Sequence, residues 1–352
     1  MQLRHRLLRA ALTAFHVSGA DGLFRALSSA RGTILTLHHV REERREGGFA
    51  PNAHLAVTSE FLDELLDRLR RGSVDIVAMD EVPDRLRAQA GSRFVAITFD
   101  DGYRDNLHEA VPVLRAHQAP FTIYVTTGFV TGEAQTWWES LEVLVRERER
   151  IMVQAPDGGV LELDCSTVAA KNESYEALIG FYKTQVPEMN VDRHVRELCW
   201  LYGVDGDKLL RSQIMNEREL NLLNGDPLCT FGAHTATHRS LARLSYDEMI
   251  QELSEGRAAL ERMTGTRALH VAYPYGFPAA AGPREFAAAA ELGFETGVTT
   301  RRGVLYASHA EHLTALPRIS LNGHYQRIRY ADALISGLPT KLARRGRRLD
   351  VR

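Results

Sequence analysis

The run Phe94-Val-Ala-Ile-Thr-Phe-Asp-Asp-Gly102 reads as a buried strand that ends abruptly in two adjacent carboxylates and a glycine. Phe94, Val95, Ala96, Ile97 and Phe99 leave almost no polar face, the pattern of a strand covered on both sides in a parallel sheet. Such a strand delivers its C-terminal residues, here Asp100 and Asp101, to the face where α/β proteins build their sites. Two acids side by side on that face repel each other and lose hydration, a cost that a cation or a shared proton would offset.

Working outward, Thr33-Ile-Leu-Thr-Leu-His38-His39-Val40 has the same buried-strand composition and ends in histidines. A polar, Gly- and Arg-rich loop follows to about residue 56, then a helix whose apolar face is Phe61, Leu62, Leu65, Leu66 and Leu69, and a short strand from Val74 to Val77. Beyond Asp101 come a helix over Leu107, Val111, Val113 and Leu114 and a strand from Phe121 to Val125. Between about 135 and 226 the rhythm breaks. Trp137 and Trp138 open a mostly helical insertion, with one hairpin whose arms are Ile151–Val153 and Val160–Leu163 and whose turn is Asp157-Gly158-Gly159. The insertion could cover the active face, and its tryptophan pair reads as core packing in preference to a sugar platform.

The alternation resumes at Leu228–Gly232, which feeds His234-Thr-Ala-Thr-His238. Ser245 and Glu248 have the spacing of a capping box that starts a helix. Strands are expected at His270–Tyr273, at Thr296–Thr299 and around Leu316-Pro-Arg-Ile319, with helices at Pro283–Leu292 and Ile328–Ile335. Seven or eight strand-like segments separated by helices predict an α/β chain folded as a (β/α) barrel. The expected division is an N-terminal amphipathic helical segment over 1–32, the barrel with its insertion over 33–340, and a basic tail over 341–352.

Hydrophobic content of 44% and charged content of 25% are those of a soluble, folded protein. The net charge of −2 is unevenly spread: residues 1–32 carry +4 and residues 341–352 carry +5, which leaves −2 − 9 = −11 for the body. Basic and aromatic residues do not interleave in that body, which argues against nucleic acid. Leu7, Leu8, Leu12, Phe15, Leu23, Phe24 and Leu27 sit among the N-terminal arginines near helical spacing, so an anionic membrane surface is the alternative to simple packing on the domain. Cys165, Cys199 and Cys229 are odd in number and widely spaced, which suggests a reducing compartment. With no signal-peptide core and no apolar span of roughly 20 residues, the expectation is a cytoplasmic protein, peripheral at the inner membrane face.

His234 and His238 are four residues apart, so on a helical turn, or on a loop entering one, both imidazoles can face one point. Asp101 adds a carboxylate from another strand end. Two histidines and one carboxylate make an open site for a divalent metal such as Zn²⁺, although the same set also holds Fe(II) in oxygenases.

Thr98-Phe-Asp-Asp-Gly102, His234-Thr-Ala-Thr-His238 and Tyr273-Pro-Tyr-Gly276, in this order, resemble the first three motifs of the NodB-type polysaccharide deacetylases, carbohydrate esterase family 4. The resemblance covers roughly residues 33–325 apart from the insertion. It implies a distorted (β/α) barrel that removes an acetyl group from an N-acetylated sugar or polysaccharide, with Asp100 as general base and Asp101, His234 and His238 as ligands of a divalent metal, most simply Zn²⁺. It also implies that the backbone N–H of Tyr275 helps to hold the oxyanion. The familiar arginine before the third motif's proline is missing, and Arg318 in Leu-Pro-Arg-Ile is the candidate to orient the base. The late Leu-x-His motif is missing too. Leu37-His38-His39-Val40 is similar to a Tyr-His-x-Val segment of the poly-N-acetylglucosamine deacetylase branch, which makes His38 the candidate general acid ahead of His39 and His324. The expected activity is N-deacetylation of an N-acetylhexosamine in a surface polysaccharide or its lipid-linked precursor, as in exopolysaccharide biosynthesis. The rivals are a deformylase or cyclic-amide hydrolase on the same scaffold and a sugar-binding relative without turnover.

Overall fold

Segments without a polar face become the parallel strands, because only a sheet covered on both sides can bury them. In this computed structural model, which describes residues 2–42, 48–72, 74–156, 158–343 and 346–351, the strands are β1 (Gly32–Leu37), β2 (His39–Val40), β3 (Ala56–Val57), β4 (Asp75–Val77), β5 (Phe94–Phe99), β6 (Phe121–Val125), β7 (Arg150–Gln154), β8 (Val160–Asp164), β9 (Cys229–Ala233), β10 (His270–Ala272), β11 (Thr296–Arg302) and β12 (Leu316–Ser320). The main sheet runs β1-β12-β11-β10-β9-β6-β5, and β5 returns to β1 in parallel register from Gly32 opposite Phe94 to Leu37 opposite Phe99. The result is a closed seven-stranded parallel barrel. Gly32 is needed for that closure, since a Cβ there would stand 2.7 Å from the Phe94 ring.

The eighth strand lies outside the ring. β4 pairs with the first half of β5 (Asp75 opposite Phe94, Val77 opposite Ala96), and β6 takes the second half (Ile97 opposite Phe121, Phe99 opposite Ile123). A register shift between Val298 and Arg302 interrupts the parallel pairing of β11 with β12 and adds to the distortion. Because the barrel strands are parallel, β1, β5, β9 and β10 end at one mouth.

Beside that mouth, the helices Trp137–Glu147, Val168–Thr184, Val191–Leu201 and Gly206–Gln213 and the antiparallel β7–β8 hairpin enclose a second apolar core that includes Leu141, Leu144, Ile151, Leu178, Tyr182 and Val195. Asp157 of the hairpin turn and residues 43–47 of the polar loop lie outside the described residues.

The N-terminal segment forms two helices, Gln2–Val17 and Ala20–Leu27, separated at Gly19, whose φ of 71° is the left-handed turn that glycine tolerates. Leu12 is fully buried and packs with Tyr325, Tyr330 and Ala333, so the first helix is docked on the helix Ile328–Ser336. Leu7, Val17 and Leu23 face outward; the side chains of Leu27 and of Arg4, Arg6 and Arg25 lie outside the described set. No described helix is long and apolar enough to cross a membrane.

Candidate active site

Asp100 and Asp101 leave the end of β5 in different directions because Asp101 adopts a left-handed φ of 74°, followed by Gly102 at 77°. Asp100 turns toward β12, where Arg318 grips it with two parallel bonds, Nη1 to Oδ1 at 2.7 Å and Nη2 to Oδ2 at 2.6 Å. Arg318 is fully buried and is itself fixed, donating from Nε to the Thr299 carbonyl at 3.0 Å and from Nη1 to Thr98 Oγ1 at 3.1 Å. Burial alone would raise the Asp100 pKa, but the guanidinium more than offsets it and holds the carboxyl below its usual range.

Asp101 turns instead toward the histidines. Its Oδ1 lies 3.4 Å from His234 Nε2 and 3.3 Å from His238 Nε2. Burial pushes this carboxyl up, and the two imidazoles outweigh it and hold it well below the usual range. The histidines sit on a loop that leaves β9, not on a helix. Thr235 (φ 63°) and His238 (φ 58°) are both left-handed, so a four-residue spacing that would suit one helix face is achieved by a tight, non-helical path.

That path is held by the helix Tyr246–Thr264. Ala236 N–H donates to the Glu252 carbonyl at 3.0 Å, and Thr237 N–H to the Glu252 carboxylate at 2.9 Å. Gly256 on the same helix lets the loop approach, because a Cβ there would lie 2.4 Å from the carbonyl carbon of Thr235.

These residues fit a divalent cation. One carboxylate oxygen and two imidazole nitrogens lie within 4.8 Å of one another, all on buried residues. Asp101 Oδ1 has no hydrogen-bond partner despite its burial, a costly state for an anion unless a cation completes it. His234 Nδ1 lies 2.7 Å from the Ala272 carbonyl, which fixes the proton on Nδ1 and leaves Nε2 as the lone-pair nitrogen facing Asp101. A carboxylate with two imidazoles suits Zn²⁺ and other divalent transition metals.

The polysaccharide deacetylase family profile matches residues 87–154 and 191–297. The chain belongs to the polysaccharide deacetylase family. The unmatched stretch 155–190 falls inside the insertion, so the chain carries its family signature on the barrel and the ends of the inserted segment. No curated protein sequence matches it. Among solved structures the deacetylase fold is similar to the Streptococcus pyogenes deacetylase PplD in complex with acetate (17% identity, TM-score 0.57, covering 87% of this chain and 99% of that one). It is also similar to IcaB from Ammonifex degensii (17%, 0.54, 87% and 97%). The deacetylase domain of BpsB from Bordetella bronchiseptica is a third likeness (16%, 0.51, 84% and 97%).

The remaining candidate residues divide. His38 ends β1 at the same mouth; burial lowers its pKa, while Asp101 and Asp100 pull it back up. His39 faces away into a lock: its Nδ1 lies 2.6 Å from Asp105 Oδ2, its ring lies on Tyr103 at 3.6 Å, and burial leaves it about 1% exposed. His324 stacks on His54 at 5.4 Å. Tyr275 has a left-handed φ of 61°, its carbonyl accepts from Thr300 Oγ1 at 2.6 Å, and its phenol lies 3.1 Å from Trp137 Nε1.

Sequence reasoning did not find the aromatic wall on His238. Phe129, Trp138 and Tyr275 surround its ring at centroid distances of 5.6, 5.0 and 4.9 Å. Trp137 and Trp138 are buried, as core residues would be, yet Trp138 lies against His238 and Trp137 holds Tyr275. Lys183, from the inserted helix Val168–Thr184, also went unnoticed; its ammonium lies 5.5 Å from the Tyr275 ring centroid. A lysine on a helix carries no sequence signal that distinguishes such a position.

Proposed function

We propose that this polysaccharide deacetylase is a metal-dependent N-deacetylase acting on an N-acetylhexosamine of a surface polysaccharide or its lipid-linked precursor. The observation that carries the reading is the adjacency of two differently equipped carboxylates: Asp100 gripped by a buried arginine, and Asp101 facing two histidines. One is provided for as a base and the other as a ligand.

Asp101, His234 and His238 would hold the cation. When bound, a divalent metal polarises the acetyl carbonyl and lowers the pKa of water. The chain's residues do the rest. Asp100, kept ionised and held in one plane by Arg318, takes a proton from the attacking water as its oxygen bonds to the carbonyl carbon. The Tyr275 N–H is assigned to the oxyanion that develops there. As the C–N bond breaks, protonated His38 gives its proton to the departing amine, leaving acetate and a free amino sugar. Burial makes the His38 imidazolium a readier proton donor than an exposed one. The histidine on the first strand supports placing the chain near the poly-N-acetylglucosamine deacetylase branch.

Trp138 and Phe129 exclude water from one side of His238, and the Trp137–Tyr275 contact ties the insertion to the mouth. The insertion over 135–226 is therefore proposed as the cover of the site, on the barrel that spans 33–340. Peripheral placement at the inner face of a membrane is supported by the basic termini and by the outward-facing Leu7, Val17 and Leu23.

The decisive assay incubates the Zn²⁺-loaded protein with N-acetylglucosamine oligomers and measures acetate. Asp100→Asn should lose about 10³-fold in rate while retaining one equivalent of metal. If that variant deacetylates normally the base is misassigned, and formamide or cyclic-amide substrates turned over in preference would move the reading to the rival hydrolases. Co-sedimentation with phosphatidylglycerol vesicles tests the membrane placement: Leu7→Asp/Leu23→Asp should bind less, and unchanged binding counts against it.

A further inference from the structure

His38 stands where the chain leaves the barrel sheet. β1 ends at Leu37, and β2 begins at His39 and pairs with β3, His39 opposite Ala56, outside the barrel ring. The half-buried His38 falls in the gap between the two ladders, so its carbonyl needs a partner from elsewhere. Its ring is not what anchors it: among the described residues, none hydrogen-bonds the His38 imidazole. The main chain is left to set where that imidazole points.

Two consecutive side chains hold that main chain. Asn106, fully buried, donates from Nδ2 to the His38 carbonyl at 2.7 Å. Asp105 accepts from the Val40 N–H on Oδ1 at 3.2 Å, and its Oδ2 lies 2.6 Å from His39 Nδ1. Asn106 Nδ2 also donates to Asp105 Oδ1 at 3.1 Å, so each side chain braces the other. On the near side of His38, the Leu37 carbonyl accepts from the Asp100 N–H at 3.0 Å. One segment, 100–106, thus carries Asp100 and Asp101 and also grips the chain on both sides of His38. Asn106 Oδ1 is buried without a hydrogen-bond partner, a cost that an apolar side chain of the same size would avoid. What the amide contributes there is therefore its donor.

We propose that Asn106, braced by Asp105, is the positioning residue that aims His38 at the departing amine. The inference rests on the reading of His38 as general acid and adds what holds that acid in line. Loss of the Asn106 bond would release His38 while leaving Asp100 on Arg318 and Asp101 facing its histidines. This difference has a chemical signature. An amide cannot expel an amine anion, so its C–N bond breaks only as a proton reaches the nitrogen. A 4-nitrophenyl ester expels a stabilised phenolate and needs no such proton. A misplaced acid therefore costs amide cleavage and spares ester cleavage.

The test uses the full chain loaded with Zn²⁺ and two acetyl donors, an N-acetylglucosamine oligomer and 4-nitrophenyl acetate. Asn106→Leu removes the donor at nearly constant volume. It is expected to lower kcat on the oligomer about a hundredfold, with KM and ester hydrolysis each within about threefold of wild type. Equal losses on amide and ester, or no loss on either, overturn the positioning role. A second readout needs no turnover: the ¹³Cε1 resonance of His38 in histidine-labelled protein, assigned from His38→Ala, should shift or broaden in Asn106→Leu. A resonance identical to that of wild type overturns the inference whatever the rates. His38→Ala reads the underlying assignment separately. If it shows no loss selective for the amide while the resonance does respond to Asn106→Leu, the general acid is misassigned although Asn106 holds His38 as described. Should Asn106→Leu melt early, Asp105→Asn serves on both readouts, with an amide-selective loss of about tenfold expected.

Discussion

Arg318 and Asp100 meet as a bidentate pair, at 2.6 and 2.7 Å, across the barrel from β12 to the end of β5. In the proposed mechanism the arginine takes the place of one that the familiar third motif would have put before Pro274. A lysine at 318 would keep the charge but replace a planar fork by a point donor. Arg318→Lys should therefore lower kcat about a hundredfold with little change in KM, because it disturbs the base and not the binding of the sugar. Equal losses in kcat and in Zn²⁺ affinity would indicate instead that Arg318 organises the whole mouth.

The histidine loop depends on a glycine that touches neither metal nor substrate. A methyl group at Gly256 would stand 2.4 Å from backbone at Thr235, and backbone cannot give way as a flexible side chain can. Gly256→Ala should shift His234 and His238 and weaken Zn²⁺ binding by at least about tenfold, while far-ultraviolet circular dichroism stays that of the wild type. Equilibrium dialysis reads the metal directly. Unchanged affinity would mean that the loop can move away without disturbing its ligands.

Much of this architecture was legible because burial on both faces leaves a plain record. Phe94–Phe99, Phe121–Val125 and the strand before His234 were bounded within a residue or so, and the capping box at Ser245 and Glu248 starts its helix as expected. What the record omits is geometry without periodicity. A spacing of four residues between His234 and His238 is the same on a helix and on a loop, and only the left-handed backbone at Thr235 and His238 distinguishes them. The tryptophan pair was legible as buried but not as the wall of His238, since burial does not say against what. His39 looked like an alternative acid beside His38. Asp105, 66 residues away, holds its ring, and long-range partners of this kind leave no local trace.

Trp137 and Tyr275 join the insertion to the segment after β10. The indole N–H donates to the phenol oxygen at 3.1 Å, a neutral hydrogen bond worth about 1 kcal/mol. Trp137→Phe should lower kcat/KM about fivefold, and so should Tyr275→Phe. The double variant should lose little more than either single one, because both remove the same contact. Additive losses would mean that the two side chains act separately, with Tyr275 meeting the substrate by itself.

Glu142 gives a pH dependence with a definite sign. It lies in the helix Trp137–Glu147, mostly buried beneath Asn52, whose backbone N–H donates to Oε2 at 3.1 Å. Burial and the neighbouring Glu139 carboxylate push its pKa from 4.5 up to about 7, since the Asn52 N–H and the Arg146 guanidinium, 3.6 Å away, relieve it only in part. The folded state thus holds a proton that the unfolded chain has released between about pH 4.5 and about pH 7. Stability from this group is complete below the lower value and is lost as pH rises through the upper one. Glu142→Gln keeps an acceptor for Asn52 but cannot ionise. It should match the wild type at pH values near 4.5 and exceed it at pH values above 7, by up to about 3 kcal/mol. Urea denaturation at the two ends of that range separates the outcomes: a variant equally stable relative to wild type at both ends would show that Glu142 titrates as an ordinary exposed acid, and a variant weaker at high pH would mean that its charge helps to hold Arg146 and the insertion in place.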